Sequence, residues 1–170
     1  SGNGLNMGGS VGGPIVRNNI FHQRGGGYGI CNSDAAVSMS VSDYNLFWTT
    51  NGAYVGYYDG GLSSLAAWRQ ATGQDGHSLN ADPLFVDMAA RDFHLQSTAG
   101  SYHGGAWSRD GADSPGIDAG YGTAGEEPAA NSTPGQGTNL GQRNLGAYGG
   151  TAQGSKTPTN RRVQVYQPTG

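Results

Sequence analysis

Over residues 1–60 the apolar positions fall into short runs: IVRNNIF (15–21), YGICN (28–32), VSMSV (37–41), YNLFW (44–48) and AYVGYY (53–58). Gly, Asn, Ser and Asp separate them. None of these runs has the i, i+3, i+4 spacing of an amphipathic helix, and each is the length of a strand. The runs also repeat. At an offset of 26, Ile15 meets Val41, Asn19-Ile20-Phe21 meets Asn45-Leu46-Phe47, and Tyr28 meets Tyr54; at an offset of 25, Gly4-Leu5 meets Gly29-Ile30. A period in this range points to a solenoid, because one short unit cannot bury its apolar face without stacking on a copy of itself. The expected fold class is therefore all-β, a parallel β-helix with coils of about 25 residues.

From Gly60 the pattern changes. SSLAAWRQATG (63–73) predicts one short helix over residues 63–72, with Ser63 or Ser64 capping its start, Leu65 and Trp68 on one face, and Gly73 after its end. The words ADPLFVD, DFHLQ, SPGIDAG and NLGAYGG then follow in order. Four stretches are expected: β-helix coils over 1–60, C-terminal coils with the helix over 61–120, a closing loop and cap over 121–157, and a linker opening a further module over 158–170. The tail RRVQVYQPTG regains alternation at Val163 and Val165, which reads as a strand just beginning. Both ends look like cuts, since the first coil starts in mid-pattern without a cap.

The IxxNNIF and SDYNLF pattern resembles the right-handed parallel β-helix proteins of the pectate-lyase-like superfamily. The later words resemble the C-terminal end of large secreted bacterial β-helix proteins, including those with a choice-of-anchor Q region. That resemblance implies a right-handed solenoid closed by a helix and long loops, in an extracellular or bacterial cell-surface setting. Asn19 and Asn45 would then occupy one corner of successive coils, where Asn tolerates left-handed backbone and can bond along a stack of turns. Asp82, before Pro83, and Asp118, before Ala119-Gly120, are expected in turn roles of the same structural kind.

Composition narrows the function classes. Glycine accounts for 32 of 170 residues, only 12% are charged, and 35% are hydrophobic, which suits a turn-rich β protein with a core. Net charge is −3 and the basic residues are scattered apart from Arg161-Arg162, so nothing favours nucleic acid. No apolar run is long enough for membrane insertion, and SGNGLNMGGS lacks the basic start and apolar stretch of a signal peptide. The single Cys31 excludes an internal disulfide and is expected as a small buried hydrophobe.

Candidate chemistry is sparse. No two carboxylates recur at one position of successive coils, so calcium is not supported, and His22, His77, His94 and His103 have no ligand spacing for zinc. No cofactor or metal is expected and no residue is assigned a catalytic role. His94, in FHLQ, alternates with apolar neighbours and is expected to face solvent. The aromatic residues Tyr28, Trp48, Tyr54 and Tyr57 lie in successive coils and are the candidates for stacking on sugar rings.

The expected function is a structural or adhesive module of a larger surface protein, self-associating through an open coil edge or continuing upstream segments of the same chain. The alternative, from the enzyme class, is part of a polysaccharide lyase or glycoside hydrolase, or a carbohydrate-binding module, with its groove on upstream coils. Polysaccharide is the expected ligand in that case. Trp48 stands where the first copy of the repeat has His22, and such departures from the repeat are where recognition is expected.

Overall fold

The structure, a computed structural model, describes residues 2–8, 13–33, 41–122 and 142–158. The anticipated strand at Val163–Val165, the Arg161-Arg162 pair and most of VSMSV and of the 121–143 loop lie outside these residues. Thirteen strands and one helix are formed among the described residues: β1 (Leu5–Met7), β2 (Ile15–Arg17), β3 (Ile20–Arg24), β4 (Tyr28–Asn32), β5 (Val41–Asp43), β6 (Leu46–Thr50), β7 (Tyr54–Tyr58), β8 (Gly61–Leu62), α1 (Leu65–Thr72), β9 (Leu79–Asn80), β10 (Phe85–Asp87), β11 (Asp92–Leu95), β12 (Ser101–His103) and β13 (Ala106–Ser108).

These strands make five small sheets, in the orders β1-β4-β7-β8, β3-β6-β9, β2-β5, β10-β11 and β12-β13. In the first half the pairing is parallel, and its register carries the sequence offset: Ile15 lies beside Val41, Ile20 beside Leu46, Phe21 beside Phe47, His22 beside Trp48 and Tyr28 beside Tyr54. The parallel pairing ends at Leu79 and Asn80, which lie beside Leu46 and Phe47. Beyond it β10-β11 and β12-β13 are antiparallel, and β8 closes the edge of β7 antiparallel as well.

A right-handed parallel β-helix along the chain is therefore corrected to an assembly of small mixed sheets with one short helix. The physical reason lies in the connections. Antiparallel strands can be joined by a tight turn, whereas a parallel neighbour needs a crossover of a dozen or more residues. Four residues, Met88 to Arg91, separate Phe85–Asp87 from Asp92–Leu95, so these strands fold back on each other.

The core forms where the parallel strands face one another and the helix. Met7, Val16, Phe21, Ile30, Phe47, Val55, Leu65 and Trp68 make one buried cluster, in which the Phe21 and Phe47 rings stack at 5.2 Å. Close packing explains Gly29 in YGICN: a Cβ there would lie 3.1 Å from the Phe47 ring and 2.7 Å from the Val55 carbonyl oxygen. Helix α1 starts where the Ser64 hydroxyl accepts from the Ala67 N–H (3.1 Å), and it stops at Gly73, whose left-handed backbone (φ 67°) returns its N–H to the Arg69 carbonyl. Leu65 and Trp68 are its buried face. A side chain at Gly56 would collide with the Trp68 ring, so that glycine lets the helix approach.

At the corner between β2 and β3, and again between β5 and β6, the left-handed residues are Asn18 (φ 61°) and Tyr44 (φ 54°), one place earlier than Asn19 and Asn45. Asn19 and Asn45 supply the ladder. The Asn45 Oδ1 accepts from the Asn19 N–H (3.0 Å) and from Asn19 Nδ2 (3.1 Å), while Asn45 Nδ2 donates to the Val16 carbonyl, Ser42 Oγ and Asp75 Oδ1. Ser78 continues the column by accepting from the Asn45 N–H at 2.7 Å. Asp75, buried, ties the corner to the helix by accepting from Trp68 Nε1 (2.8 Å) and from the Ser42 and Ser78 hydroxyls.

Candidate functional site

Alternation along β3 and β6 turns Phe21 and Phe47 into the core and sends His22 and Trp48 to the opposite face. There the imidazole and indole stack at 4.2 Å, with their planes 21° apart. Ala81, whose N–H bonds to the Phe47 carbonyl, brings only a methyl group to the following strand position.

A groove of about 590 Å³ opens on this face. Ile20 and His22 line it from β3, Asn18 and Asn19 from the corner, Phe85 and Phe93 from the β10-β11 hairpin, and Gly146-Ala147 from the other side. The two phenyl rings meet edge to face at 5.3 Å, and Phe93 remains 42% exposed. Gly146 allows the wall to close on the sheet: its N–H bonds to the Asn18 carbonyl, and a Cβ there would lie 2.8 Å from Ile20 Cδ1.

His22 is the titratable group among the residues lining this groove. Burial lowers its pKa, the nearby Arg24 lowers it further, and Asp82 opposes them, so the ring is neutral at neutral pH. The arrangement offers apolar and aromatic surface with one neutral imidazole, suited to the C–H face of a ring-shaped polar ligand.

The residues singled out from sequence divide between two sheets. Trp48 is not among the residues lining the groove and adjoins it through its stack on His22. Tyr28, Tyr54 and Tyr57 cluster on the β1-β4-β7-β8 sheet, with Tyr28 tilted against Tyr54 at 5.2 Å and edge-on to Tyr57 at 5.3 Å. The fold thus does not join the four into one row. Asp82 and Asp118 sit in turns: Asp82 Oδ1 accepts from the Leu84 N–H, and Asp118, with left-handed backbone (φ 54°), accepts from the Thr157 hydroxyl. Cys31 is half-buried.

His94 departs from expectation. It is buried, stacked on Tyr148 at 3.5 Å, and its Nδ1 lies 2.5 Å from Asp92 Oδ1, so the hairpin strand presents it to the segment after Leu145 instead of to water. His103 shares Asp110 with the buried Ser101 hydroxyl. Because Asp110 also accepts from the Ser97 N–H, this trio fixes a loop and leaves no exposed nucleophile. Among the described residues, no group of three or more His, Cys, Asp and Glu is placed to hold a metal ion.

Sequence reasoning missed Phe85, Phe93 and Asn18 as groove residues. Phe85 and Phe93 reach the groove only because their strands fold back as a hairpin. His22 had a signal, as the register partner of Trp48.

No curated protein and no solved structure matches the chain. The family model described as "Disaggregatase related" matches residues 8–120, well over half of the sequence. This match overturns the resemblance to pectate-lyase-like and choice-of-anchor Q proteins. With it falls the functional expectation of a structural or adhesive module, together with its lyase, hydrolase or binding-module alternative on upstream coils. The chain belongs to the Disaggregatase related family.

Proposed function

We propose that the protein acts in the dispersal of aggregates, as its family description suggests, by engaging outside the cell a polysaccharide that holds them together. The observation that carries this reading is the outward His22–Trp48 stack beside the groove under Phe85 and Phe93. Sugar rings present apolar C–H faces that pack on aromatic planes, and their hydroxyls suit a neutral imidazole and amide side chains at the groove edge. A composition without a basic patch argues against nucleic acid as the polymer.

The test joins binding to function. The protein is applied to a glycan array and to suspensions of polysaccharide-embedded cell aggregates, whose particle size is followed by light scattering. Retention on at least one polysaccharide and a fall in particle size are expected. Trp48→Ala and Phe93→Ala should reduce both while leaving the melting temperature close to that of the parent. Wild-type protein that neither binds glycans nor changes particle size would overturn the proposal, as would full activity in both variants.

A further inference from the structure

The corner residue Asn18 touches two places at once. The residue lines the groove, and its amide clamps the backbone of Tyr121, with Oδ1 accepting from the Tyr121 N–H (2.6 Å) and Nδ2 donating to the Tyr121 carbonyl (3.3 Å). Tyr121 is 48% exposed and lies at the start of a second aromatic group. Tyr44 meets it edge-on at 5.4 Å and stacks in parallel on His77 at 4.8 Å, their planes 10° apart. The column follows from the fold: Asn18 and Tyr44 occupy equivalent left-handed corners, and the Asn18 N–H bonds to the Tyr44 carbonyl.

This second group is held in place. The Arg17 guanidinium lies 3.9 Å over the Tyr121 ring. Asp43 accepts from the His77 N–H (2.7 Å) and faces His77 Nδ1 (2.8 Å). Burial alone would raise the Asp43 pKa, but the hydrogen bonds from His77 and from the Tyr44 N–H outweigh it and bring the net shift below the ordinary value. Rings fixed before a ligand arrives lose little rotamer freedom on binding, which favours a contact surface. The His77 side chain is nevertheless 52% exposed.

We infer that the groove continues past Asn18 onto Tyr121, Tyr44 and His77, so that the ligand is a polymer chain of several ring units. The inference rests on the reading of the groove as a glycan site. Asn18 joins the two platforms, since it lines the groove together with Phe93 and bonds the backbone of Tyr121. A chain lying along the corner reaches both platforms.

The experiment measures affinity against chain length by titration calorimetry, using di-, tetra-, hexa- and octasaccharides of homogalacturonan, chondroitin and β-glucan. For the polymer that binds, affinity should rise with length. Tyr121→Ala, which keeps the two backbone bonds to Asn18, should cost the octasaccharide about tenfold and leave the disaccharide unchanged, in line with one lost aromatic contact. His77→Ala, at an exposed side chain, should act in the same direction. Length-independent binding, or an octasaccharide affinity untouched by both variants, overturns the track while leaving the groove in place. If wild-type protein binds no oligomer of any length, the groove reading fails and the track with it.

Discussion

Asn45 is the most connected side chain of the corner ladder, and Asn45→Ala tests how far that ladder sustains the fold. The residue is fully buried and makes five side-chain hydrogen bonds, two accepted from Asn19 and three donated to Val16, Ser42 and Asp75. After truncation, Ser42 Oγ and Ser78 Oγ still bond to Asp75, and Asn19 Nδ2 still bonds to the Arg17 carbonyl. The groups that lose most are the Asn19 N–H and the Val16 carbonyl. Each buried group deprived of a partner costs about 1–3 kcal/mol. Allowing for partial access of water at Asn19, Asn45→Ala should cost about 2–4 kcal/mol. Asn19→Ala, at an exposed side chain, should cost less than about 1 kcal/mol. Urea unfolding followed by tryptophan fluorescence, with linear extrapolation, gives both values. Asn45→Asp sharpens the comparison, since it keeps the shape and the acceptor to Asn19 but loses the donated bonds and sets a second carboxyl against Asp75. It should destabilise at least as much as Ala. Equal costs at positions 19 and 45, or a near-neutral Asn45→Asp, would show that the ladder does not hold the corner.

Gly56→Ala should destabilise by about 1–3 kcal/mol, because its Cβ has no room beside Trp68, and thermal melting of G56A should reveal an overpacked interface. A melting temperature equal to that of the parent would mean that α1 shifts without cost. His22 should titrate below a free histidine; its unfolded form takes up protons first as pH falls, so this group's contribution to stability drops as pH decreases from the ordinary histidine range toward the lowered folded value. Arg24→Gln removes one of the two lowering influences and should move the imidazole titration upward in an NMR pH series; an unmoved curve would assign the shift to burial alone.

Much of the local structure was legible in the sequence, because it depends on neighbours along the chain. Ser64, Trp68 and Gly73 mark the cap, buried face and stop of α1. The 26-residue offset is the register that sets Ile15 on Val41 and Phe21 on Phe47, since copies of one pattern bury the same faces when they stack in parallel. Asp82 needs only Leu84 to make its turn. The left-handed corner residue was misplaced by one in both coils: Asn18 suits a turn as well as Asn19 does, while at the second corner backbone geometry puts Tyr44 there instead of Asn45.

Extending the repeat over the whole chain failed where parallel stacking gave way to hairpins, a choice made by connection length and by which faces remained to be covered. That change brings Phe85 and Phe93 to the groove. It also turns His94 inward against Tyr148. The sequence by itself determined the strands, the helix and the register of its first half, all of which follow from apolar period and turn chemistry. Tertiary structure alone decided the groove, since its walls come from residues more than a hundred positions apart, whose meeting depends on chain return that no local pattern records.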